Sequence, residues 1–363
     1  MPIFMDLHIV PGVNSKEVAE AHSRDVYLEK DHHCKCITYW VDELRGHVFC
    51  LIDAPNKDSV NELHSRSHGL VPHKIIEVQS DFVESFLGRI TDPDSGQYTD
   101  SGLLILDDTS YRIIMRINIP DAILLQHQIG KEDSVKKVEA QDTIIRQAIQ
   151  KHSGKEAIYN GSEFIGSFIT ADKAVNCALA IQQQLNNVLG GGFSISIHAG
   201  EPVAQNDALF GDTLQVLQSL LLLNRSSGII ITDSVKALIA KDILHKNASN
   251  LLMLTIADEQ FLLALLEVLE NNFNDTEFNA DKFSQALAMS KSQLYRKITG
   301  LTNYTPNELL NQFRLEKGKS LLRKKQFNIA EVTFTSGFSS PSYFTKSFKS
   351  KFGLLPLAYQ ALG

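Results

Sequence analysis

The sequence has 363 residues, which is too long for one ordinary core and suits two or three domains. With 43% hydrophobic and 21% charged residues it has the composition of a globular protein, and its apolar runs are too short to cross a membrane. Its four cysteines form no disulfide framework and its N-terminus lacks the pattern of an export signal, so we expect a cytoplasmic protein without a membrane partner.

Charged and metal-binding residue types are unevenly distributed. From residue 281 onward, thirteen Lys/Arg face four Asp/Glu and give +9, so the net charge of −7 leaves −16 for residues 1–280. Eight of the twelve histidines lie in the first 73 residues, and three of the four cysteines lie between 34 and 50. The asymmetry is typical of a basic nucleic-acid-binding end attached to an acidic body.

Residues 1–80 alternate strand and helix patterns. In chain order these are the strand "IFMDLHIV", the helix "NSKEVAEAHSRDVYLEK", the strands "CKCITYWV" and "HVFCLIDA", the helix "NKDSVNELHSRSH" and the strand "HKIIEVQ". The order βαββαβ predicts an α+β domain of the split βαβ, ferredoxin-like type. In the first helix, Val18, His22 and Val26 are expected to form the buried stripe.

Two histidines of the second helix are the leading candidate metal ligands. His64 and His68 are four residues apart, so they project from the same helix face. In the split βαβ fold both helices pack on one sheet face, which brings His22 of the first helix towards them. Cys50, on the third strand, is expected to face the same layer, and imidazole with thiolate suits Ni, Cu, Zn and Co.

Four further residues are weaker candidates for the same chemistry. Asp6 and His8 share one face of the first strand, which we expect to be the face opposite the helices or a dimer interface. Cys34 and Cys36 share a strand face and suggest a second thiol site. Redox or small-molecule sensing through Cys34, Cys36 and Cys50, and plain structural packing of the histidines, remain open alternatives.

The central part of the chain reads as a mixed α/β domain. The turn-rich stretch "TDPDSGQYTDSG" predicts that residues 81–102 are a linker. Residues 103–245 then show the strands "LLILDD" and "YRIIMRINI", one long helix pattern across 121–152, the hairpin-like "KEAIYNGSEFIGSFI", and further alternating helices and strands.

Residues 257–363 are predicted to be all helical and to contain two helix-turn-helix units. Ser290 and Ser340 stand where helix caps are needed, and two i,i+4 stripes, Leu294 with Ile298 and Phe344 with Phe348, are expected in the core. The polar, basic faces of these two helices suit a DNA major groove. The candidate DNA-binding residues are Ser292, Gln293, Tyr295, Arg296, Lys297, Ser342, Tyr343, Thr345, Lys346 and Lys349.

The segments "MSKSQLYRKITGLTNYTPNELLNQFRLEKGKSLL" and "GFSSPSYFTKSFKSKFGLLPLAYQ" resemble the DNA-binding domain of the AraC/XylS family of bacterial transcription regulators. The resemblance implies two helix-turn-helix units joined by a long helix and docked in successive major grooves of double-stranded DNA. Carried over by position, it implies base contacts from Ser292, Tyr295, Arg296, Ser342 and Lys346.

The stretches "MDLHIVPGV", "ITYWVDELRGHVFCLIDAP" and "HSRSHGLVPHKIIEV" resemble a family of small bacterial ferredoxin-like proteins with nickel-binding members. This resemblance implies a dimeric α+β fold and transition-metal binding.

The stretch "SISIHAGEPVAQNDALFGDTLQVLQSLLLLNRSSGIIITDSV" resembles the later half of a class III nucleotide cyclase domain. The positions of that family's two metal-binding aspartates hold Asn118 and Ser162, and its late Asn and Arg positions hold Gln215 and Ser219. Neutral side chains cannot hold two divalent ions beside a triphosphate. We therefore expect neither cyclase activity nor a bound nucleotide, and favour a scaffold role.

Together these patterns predict a non-enzymatic transcription regulator, homodimeric through its N-terminal or cyclase-like domain, whose N-terminal domain senses a ligand, nickel first among transition metals. Two alternatives of a different class remain. One is an enzyme, cyclase or monooxygenase-like, with an attached DNA-binding domain. The other is an architectural regulator without any ligand.

Overall fold

The computed structural model describes residues 1–93, 96–106, 108–223 and 228–363. Its N-terminal elements are β1 (Ile3–Ile9), α1 (Ser15–Leu28), β2 (Lys35–Asp42), β3 (His47–Asp53), α2 (Lys57–Ser67) and β4 (Lys74–Val78). The strands form one antiparallel sheet in the order β2-β3-β1-β4, with α1 and α2 side by side on one face. Asn14 caps α1 in a capping box with Glu17.

The buried stripe of α1 differs from the predicted one. Val18 is buried, but Val26 is 43% exposed, and Asp25 is instead buried at 2% exposure. The inward face therefore follows the spacing 18, 22, 25 and places a carboxylate, which the sequence reading missed, beneath the helix.

Each face of the N-terminal sheet has its own apolar cluster. Phe4 and Ile52 face α1 and α2 and pack with residues of both helices. Met5, Trp40 and Phe49 face the opposite side and pack in a cluster that continues into the rest of the chain. Strand alternation assigns neighbouring residues of β1 to these two different cores.

The segment predicted as a linker (81–102) begins instead with a packed helix, α3 (Ser80–Leu87). Its Val83, Phe86 and Leu87 are buried in the same apolar cluster as Met5, Trp40 and Phe49 of the N-terminal sheet. Buried Arg112 donates from Nη2 to the Leu87 carbonyl, 2.9 Å away, and so satisfies the C-terminal end of α3.

A two-stranded pairing of β5 (Gln97–Tyr98) with β6 (Leu104–Ile105) follows α3. The strand predicted at "LLILDD" is present as β6, and among the described residues it pairs with β5 and not with the six-stranded sheet. Asp94 and Ser95 of the linker prediction and Asp107 of this strand lie outside the described residues.

The central part of the chain contains a second sheet and the helices connected to it. They are β7 (Arg112–Asn118), α4 (Ala122–Ile129), α5 (Lys131–Lys151), β8 (Lys155–Tyr159), β9 (Glu163–Phe168), α6 (Ala171–Leu189), β10 (Ser194–Gly200), α7 (Gly211–Ser219), β11 (Ile229–Ile231), α8 (Asp233–Leu238), α9 (Lys241–Lys246) and β12 (Leu251–Met253). Six strands pair in the order β12-β11-β10-β7-β9-β8. The single long helix predicted across 121–152 is two helices, because Gly130 adopts a φ of +85° between them.

The remaining elements are all helices, as predicted. They are α10 (Ile256–Asn272), α11 (Ala280–Ala286), α12 (Lys291–Thr302), α13 (Pro306–Arg323), α14 (Ile329–Thr335), α15 (Pro341–Phe352) and α16 (Pro356–Leu362). Across the described part of the chain, no helix has both the length and the apolar character that crossing a membrane requires.

Two features join the C-terminal helices to the central domain. The cluster on the second face of the N-terminal sheet continues through α3, α7 and α10 to Leu294 and Leu309 of the C-terminal helices. Asp121, which precedes α4, accepts hydrogen bonds from Arg323 Nη2 at 2.6 Å and from the Tyr359 hydroxyl at 2.8 Å.

Candidate metal centre and nucleic-acid interface

A buried cluster of histidines and carboxylates lies between β1 and α2. Asp6 and His8 are two residues apart on β1, so both point to the same side of the sheet, and that side is covered by α1 and α2. The expectation that they line the opposite face or a dimer interface is therefore wrong. His64 lies on the last turn of α2, and His68 follows as the residue that ends this helix.

His64 stands at the centre of this cluster and is itself fully buried. Its Nε2 is 2.8 Å from Asp6 Oδ2, and its Nδ1 is 3.0 Å from His68 Nε2. Asp25 Oδ1 lies 3.3 Å from His64 Nδ1 and 3.4 Å from His68 Nε2. His8 packs edge-on against His64, with ring centroids 4.7 Å apart.

The donor atoms fall into two overlapping groups, each with all its atoms within 4.8 Å of one another. The first contains one atom each from Asp6, His8, Cys50 and His64, all buried, and the second one each from Asp25, His64 and His68. Imidazole, carboxylate and thiol donors at such spacing form the ligand chemistry of Ni, Zn, Co and Cu sites. The residues present therefore fit a transition-metal ion.

Electrostatics within the cluster favours a positive charge at its centre. Burial by itself lowers the pKa of His64, but the carboxylates of Asp6 and Asp25 outweigh it and raise that pKa to about 10. Burial by itself raises the pKa of Asp6 and of Asp25, but the adjacent imidazoles hold the pKa of both carboxyls below the ordinary range. Two ionised, buried carboxylates need such a partner, and a metal cation has the same sign.

The other predicted ligands lie around this cluster. His22 packs against the Tyr39 ring, with centroids 4.8 Å apart, and lines the same cavity as His8 and His68. Cys34 Sγ donates to the His32 carbonyl at 3.4 Å, and Cys36 is half-buried at the start of β2. Neither group of donor atoms found among the described residues includes these three side chains.

Asp25 is the member that sequence reasoning missed. Its position three residues after His22 was a usable signal, because i and i+3 lie on one helix face. A search for acids as well as histidines at that spacing would have found it.

The two helix-turn-helix units present their second helices, α12 and α15, at the surface. Leu294, Ile298, Phe344 and Phe348 are buried at 1% exposure or less, which confirms both predicted core stripes. Ser290 caps α12 in a capping box and Ser340 caps α15. Both caps stand where the sequence placed them.

A glycine fixes the turn before α15. Gly337 has a φ of +82°, and a Cβ at this position would overlap the carbonyl oxygen of Phe273. Arg314 Nε donates to that same carbonyl at 2.7 Å, so the turn, α13 and the end of α10 meet at one point. This close approach ties the geometry of the second unit to the helix that precedes both units.

The candidate DNA-binding residues are not equally free. Ser292, Tyr295, Arg296, Ser342, Lys346 and Lys349 are exposed.

The other four are half-buried or engaged within the protein. Gln293 completes the capping box of α12, and the Tyr343 hydroxyl accepts from Asn311 at 2.8 Å. Lys297 is half-buried with its Nζ 4.5 Å from the centroid of the Phe261 ring, and Thr345 is half-buried.

The cyclase-like positions carry structural hydrogen bonds. Asn118 Nδ2 donates to Ser194 Oγ at 3.5 Å, Ser162 Oγ donates to Asn160 at 3.2 Å, and Gln215 accepts from Asn206 at 3.0 Å. Ser219 is fully buried and donates to a backbone carbonyl in its own helix. All four side chains are neutral.

Two helix-turn-helix units in one basic domain define a DNA-binding type of fold, attached here to an α+β domain with a buried donor cluster. Family models agree with both ends: "Helix-turn-helix domain" matches residues 283–361, and "Nickel responsive protein SCO4226-like" matches residues 4–78. The chain carries an AraC-type helix-turn-helix domain at its C-terminal end and a domain similar to the SCO4226-like family at its N-terminal end.

Several curated proteins are similar over part of the chain. Histidine kinase P4 of Formosa agariphila is 39% identical over 103 residues, which are 28% of this chain and 8% of that protein. The HTH-type transcriptional regulator MtrA of Neisseria gonorrhoeae is 35% identical over 24% of this chain and 30% of its own length. The HTH-type transcriptional activator RhaS of Escherichia coli is 33% identical over 25% and 33%. The match spans a third or less of each of these relatives.

Solved structures are similar over the same two regions. SCO4226 from Streptomyces coelicolor A3(2) is 32% identical and covers 21% of this chain and 94% of its own, with a TM-score of 0.20. The DNA-binding domain of AdpA, in complex with a target DNA, is 26% identical over 27% of this chain and 86% of its own, with a TM-score of 0.26.

Proposed function

We propose that this chain is a transcription regulator that binds double-stranded DNA through α12 and α15 and senses a transition metal through its N-terminal domain. Nickel is the first candidate, with Zn, Cu and Co as alternatives. One observation carries the proposal: a fully buried set of imidazole, carboxylate and thiol donors occurs in the same chain as two exposed recognition helices.

The ligand set of the proposal follows the two donor groups. Asp6, His8, Cys50 and His64 would hold the ion in the first group, and Asp25 with His68 would bind it in the second or orient His64 from outside. His22, Cys34 and Cys36 are kept only as outer residues. A bound ion supplies the central positive charge that the two carboxylates require.

The effect of metal binding is proposed to reach the DNA-binding helices through packed apolar side chains. The cluster on the second face of the N-terminal sheet continues, through α3 and the central domain, to Leu294 and Leu309 beside the DNA-reading helices. In the proposed homodimer, metal binding shifts the spacing of the paired readers on DNA. A metal can act in this way only if it binds the homodimer with different affinities at the two spacings of its DNA-binding helices.

The central domain is proposed to be a cyclase-like scaffold without nucleotide or catalysis. Its six-stranded sheet and the neutral residues at the four cyclase positions support this assignment. The antiparallel order β2-β3-β1-β4 likewise supports a ferredoxin-like assignment for the N-terminal domain.

A thiol-redox sensor is less well supported. Burial, reinforced by neighbouring carboxylates such as Glu29, raises the pKa of Cys34 to about 11, and burial also raises the pKa of Cys36 and of Cys50. Thiolates are the reactive form, so protonated thiols are poor redox sensors. Metal coordination deprotonates a thiol by a different route and is not disfavoured by this argument.

The test measures metal and DNA binding by the full chain purified without a histidine tag. Calorimetry with Ni, Co, Zn and Cu gives stoichiometry, and gel shifts on DNA upstream of the chain's own operon give affinity with and without metal. His64→Ala combined with His68→Ala is expected to weaken metal binding at least 100-fold and to remove the metal effect on DNA.

Two matched variants guard this test against misfolding. His68→Ala alone changes the residue that ends α2, and it should weaken metal binding while leaving the circular dichroism spectrum intact. His33→Asn removes an exposed imidazole outside the cluster, and Asn tolerates the left-handed φ of 54° at this residue. Metal uptake that is equal in the wild type, the double variant and His33→Asn would refute the ligand set.

A further inference from the structure

A cavity of about 260 Å³ adjoins the donor cluster between α1 and the sheet. His8, Cys50 and His68 border its polar end. Aliphatic side chains of α1, β3 and the neighbouring loops form much of the rest of its wall, Val18 and Ala21 among them. The wall also includes Glu17, His22, Arg24 and Asp25. The donor cluster is therefore open on one side towards a partly open cavity with a largely apolar wall.

The size of this cavity exceeds what a metal ion and its water need. One water takes about 30 Å³ of liquid volume, and an apolar cavity of roughly 150 Å³ is enough for benzene. Ordered water also requires two to four polar partners, which the aliphatic part of the wall does not offer. The space therefore suits an organic molecule somewhat larger than benzene.

One side chain at the polar end lacks a partner. His8 is only 4% exposed, and its Nε2 makes no hydrogen bond among the described residues, with Asp6 Oδ1 at 3.5 Å. A buried polar atom left without a partner costs about 1–3 kcal/mol. A ligand or ion bound beside His8 removes that cost.

The charges around the cavity select the type of donor that the organic molecule carries. Asp6 and Asp25 already place two carboxylates at the cluster, whereas Glu17 and Arg24, which also line the cavity, carry opposite charges and offset each other. An anionic donor entering this end would meet like charges, and a cationic group cannot coordinate a metal. A neutral nitrogen donor on a small apolar body matches both the wall and the charge.

We propose that the metal centre is an open one, completed by a small organic molecule with a neutral, imidazole-like nitrogen that occupies the 260 Å³ cavity. The species sensed is then the metal together with this molecule, not the bare ion. This inference rests on the proposed metal site and deepens it.

The experiment uses the full chain and Co(II), whose visible spectrum reports its coordination. Co(II) is first titrated alone, and 4-methylimidazole is then added to the loaded protein. We expect a saturable shift of the visible bands by 4-methylimidazole and a much smaller effect of propionate, its anionic counterpart. Ala21→Phe, which fills the cavity, should weaken 4-methylimidazole binding at least tenfold while Co(II) affinity stays within twofold.

Glu20→Phe is the matched control, because it adds the same ring to the exposed face of α1 next to Ala21, and it should behave as the wild type. Absence of Co(II) binding would refute the proposed metal site itself. Stoichiometric Co(II) binding with bands that 4-methylimidazole leaves unchanged would refute the open centre alone. Equal shifts in the wild type and Ala21→Phe, or an equal response to propionate, would also refute it.

Discussion

The buried carboxylate of Asp121 allows a test of how the C-terminal helices are attached to the central domain. This side chain accepts from Arg323 Nη2 and from the Tyr359 hydroxyl, and it also caps α4 by accepting from the Ile123 amide at 2.9 Å. Asp121→Asn keeps the shape and an oxygen for the cap but removes the charge. The contact between α4 and α16 should therefore weaken while both helices remain folded.

The expected size of the effect follows from the two bonds. Both bonds are accepted by Oδ2, which is replaced by the NH2 group when the Asn oxygen stays on the cap, so Asn accepts neither of them. A hydrogen bond to a charged group contributes about 1.5–3 kcal/mol and a neutral one about 0.5–1.5, so the Tyr359 hydroxyl, which can turn to accept from this NH2, loses roughly 1 kcal/mol, and Arg323 loses its bond. Tyr359 is fully buried, but the Arg323 side chain is 40% exposed, so its share is reduced by solvent screening. A total of about 2 kcal/mol corresponds to roughly 30-fold more opening of the contact.

Hydrogen exchange measured by mass spectrometry reads this opening directly. Amides of α16 and of the start of α4 should exchange up to about 30-fold faster in Asp121→Asn, whereas the amides of β7 and β10 should not change. Asp133→Asn removes an exposed carboxylate from the neighbouring helix α5 and serves as the control. Unchanged exchange in α16, or equal acceleration throughout the central sheet, would contradict the assignment of Asp121 as a domain contact.

Three further outcomes are expected. Gly337→Ala should destabilise the C-terminal domain by about 3 kcal/mol or more, against about 1 kcal/mol for Gly353→Ala, which has a similar φ but open space, in urea unfolding. Burial lowers the pKa of His198 to about 4, so from pH 6.5 down to pH 4 only the unfolded chain takes up this proton and stability falls. The free energy of unfolding should fall by about 3 kcal/mol over this range in the wild type and not in His198→Gln. Urea unfolding of both proteins as a function of pH measures the difference. Arg296→Ala should weaken DNA binding and reduce the salt slope by about 1, whereas exposed Lys173→Ala on α6 should change neither.

The C-terminal domain was the part most open to prediction from sequence. Caps and i,i+4 stripes are local signals, and Ser290, Ser340, Leu294 and Phe344 act in the structure as those signals indicated. Local geometry decides these features, so no knowledge of distant contacts is needed. The hydrogen bond between Asn311 and Tyr343 was not predicted, because it joins two different helices.

The donor cluster shows where sequence reasoning stops. Strand alternation put Asp6 and His8 on one face of β1, but it could not say which face, because that depends on what covers the other side. The helix α3, which lies in a segment predicted to be a linker, contributes Phe86 and Leu87 to the apolar cluster on the opposite face. Asp6 therefore lies on the face covered by α2, where it is hydrogen-bonded to His64.

This arrangement also gives the proposed metal signal a path out of the N-terminal domain. Asp6 points to the donor cluster, while Met5 and Leu7 on either side of it in β1 point into the cluster that reaches Leu294 and Leu309. A shift of β1 on metal binding therefore changes packing in that shared cluster. A tenfold change in DNA affinity requires about 1.4 kcal/mol, and burial of one methylene group is worth about 0.8 kcal/mol. Repacking equivalent to roughly two methylene groups would be enough, which makes small movements of β1 sufficient for regulation.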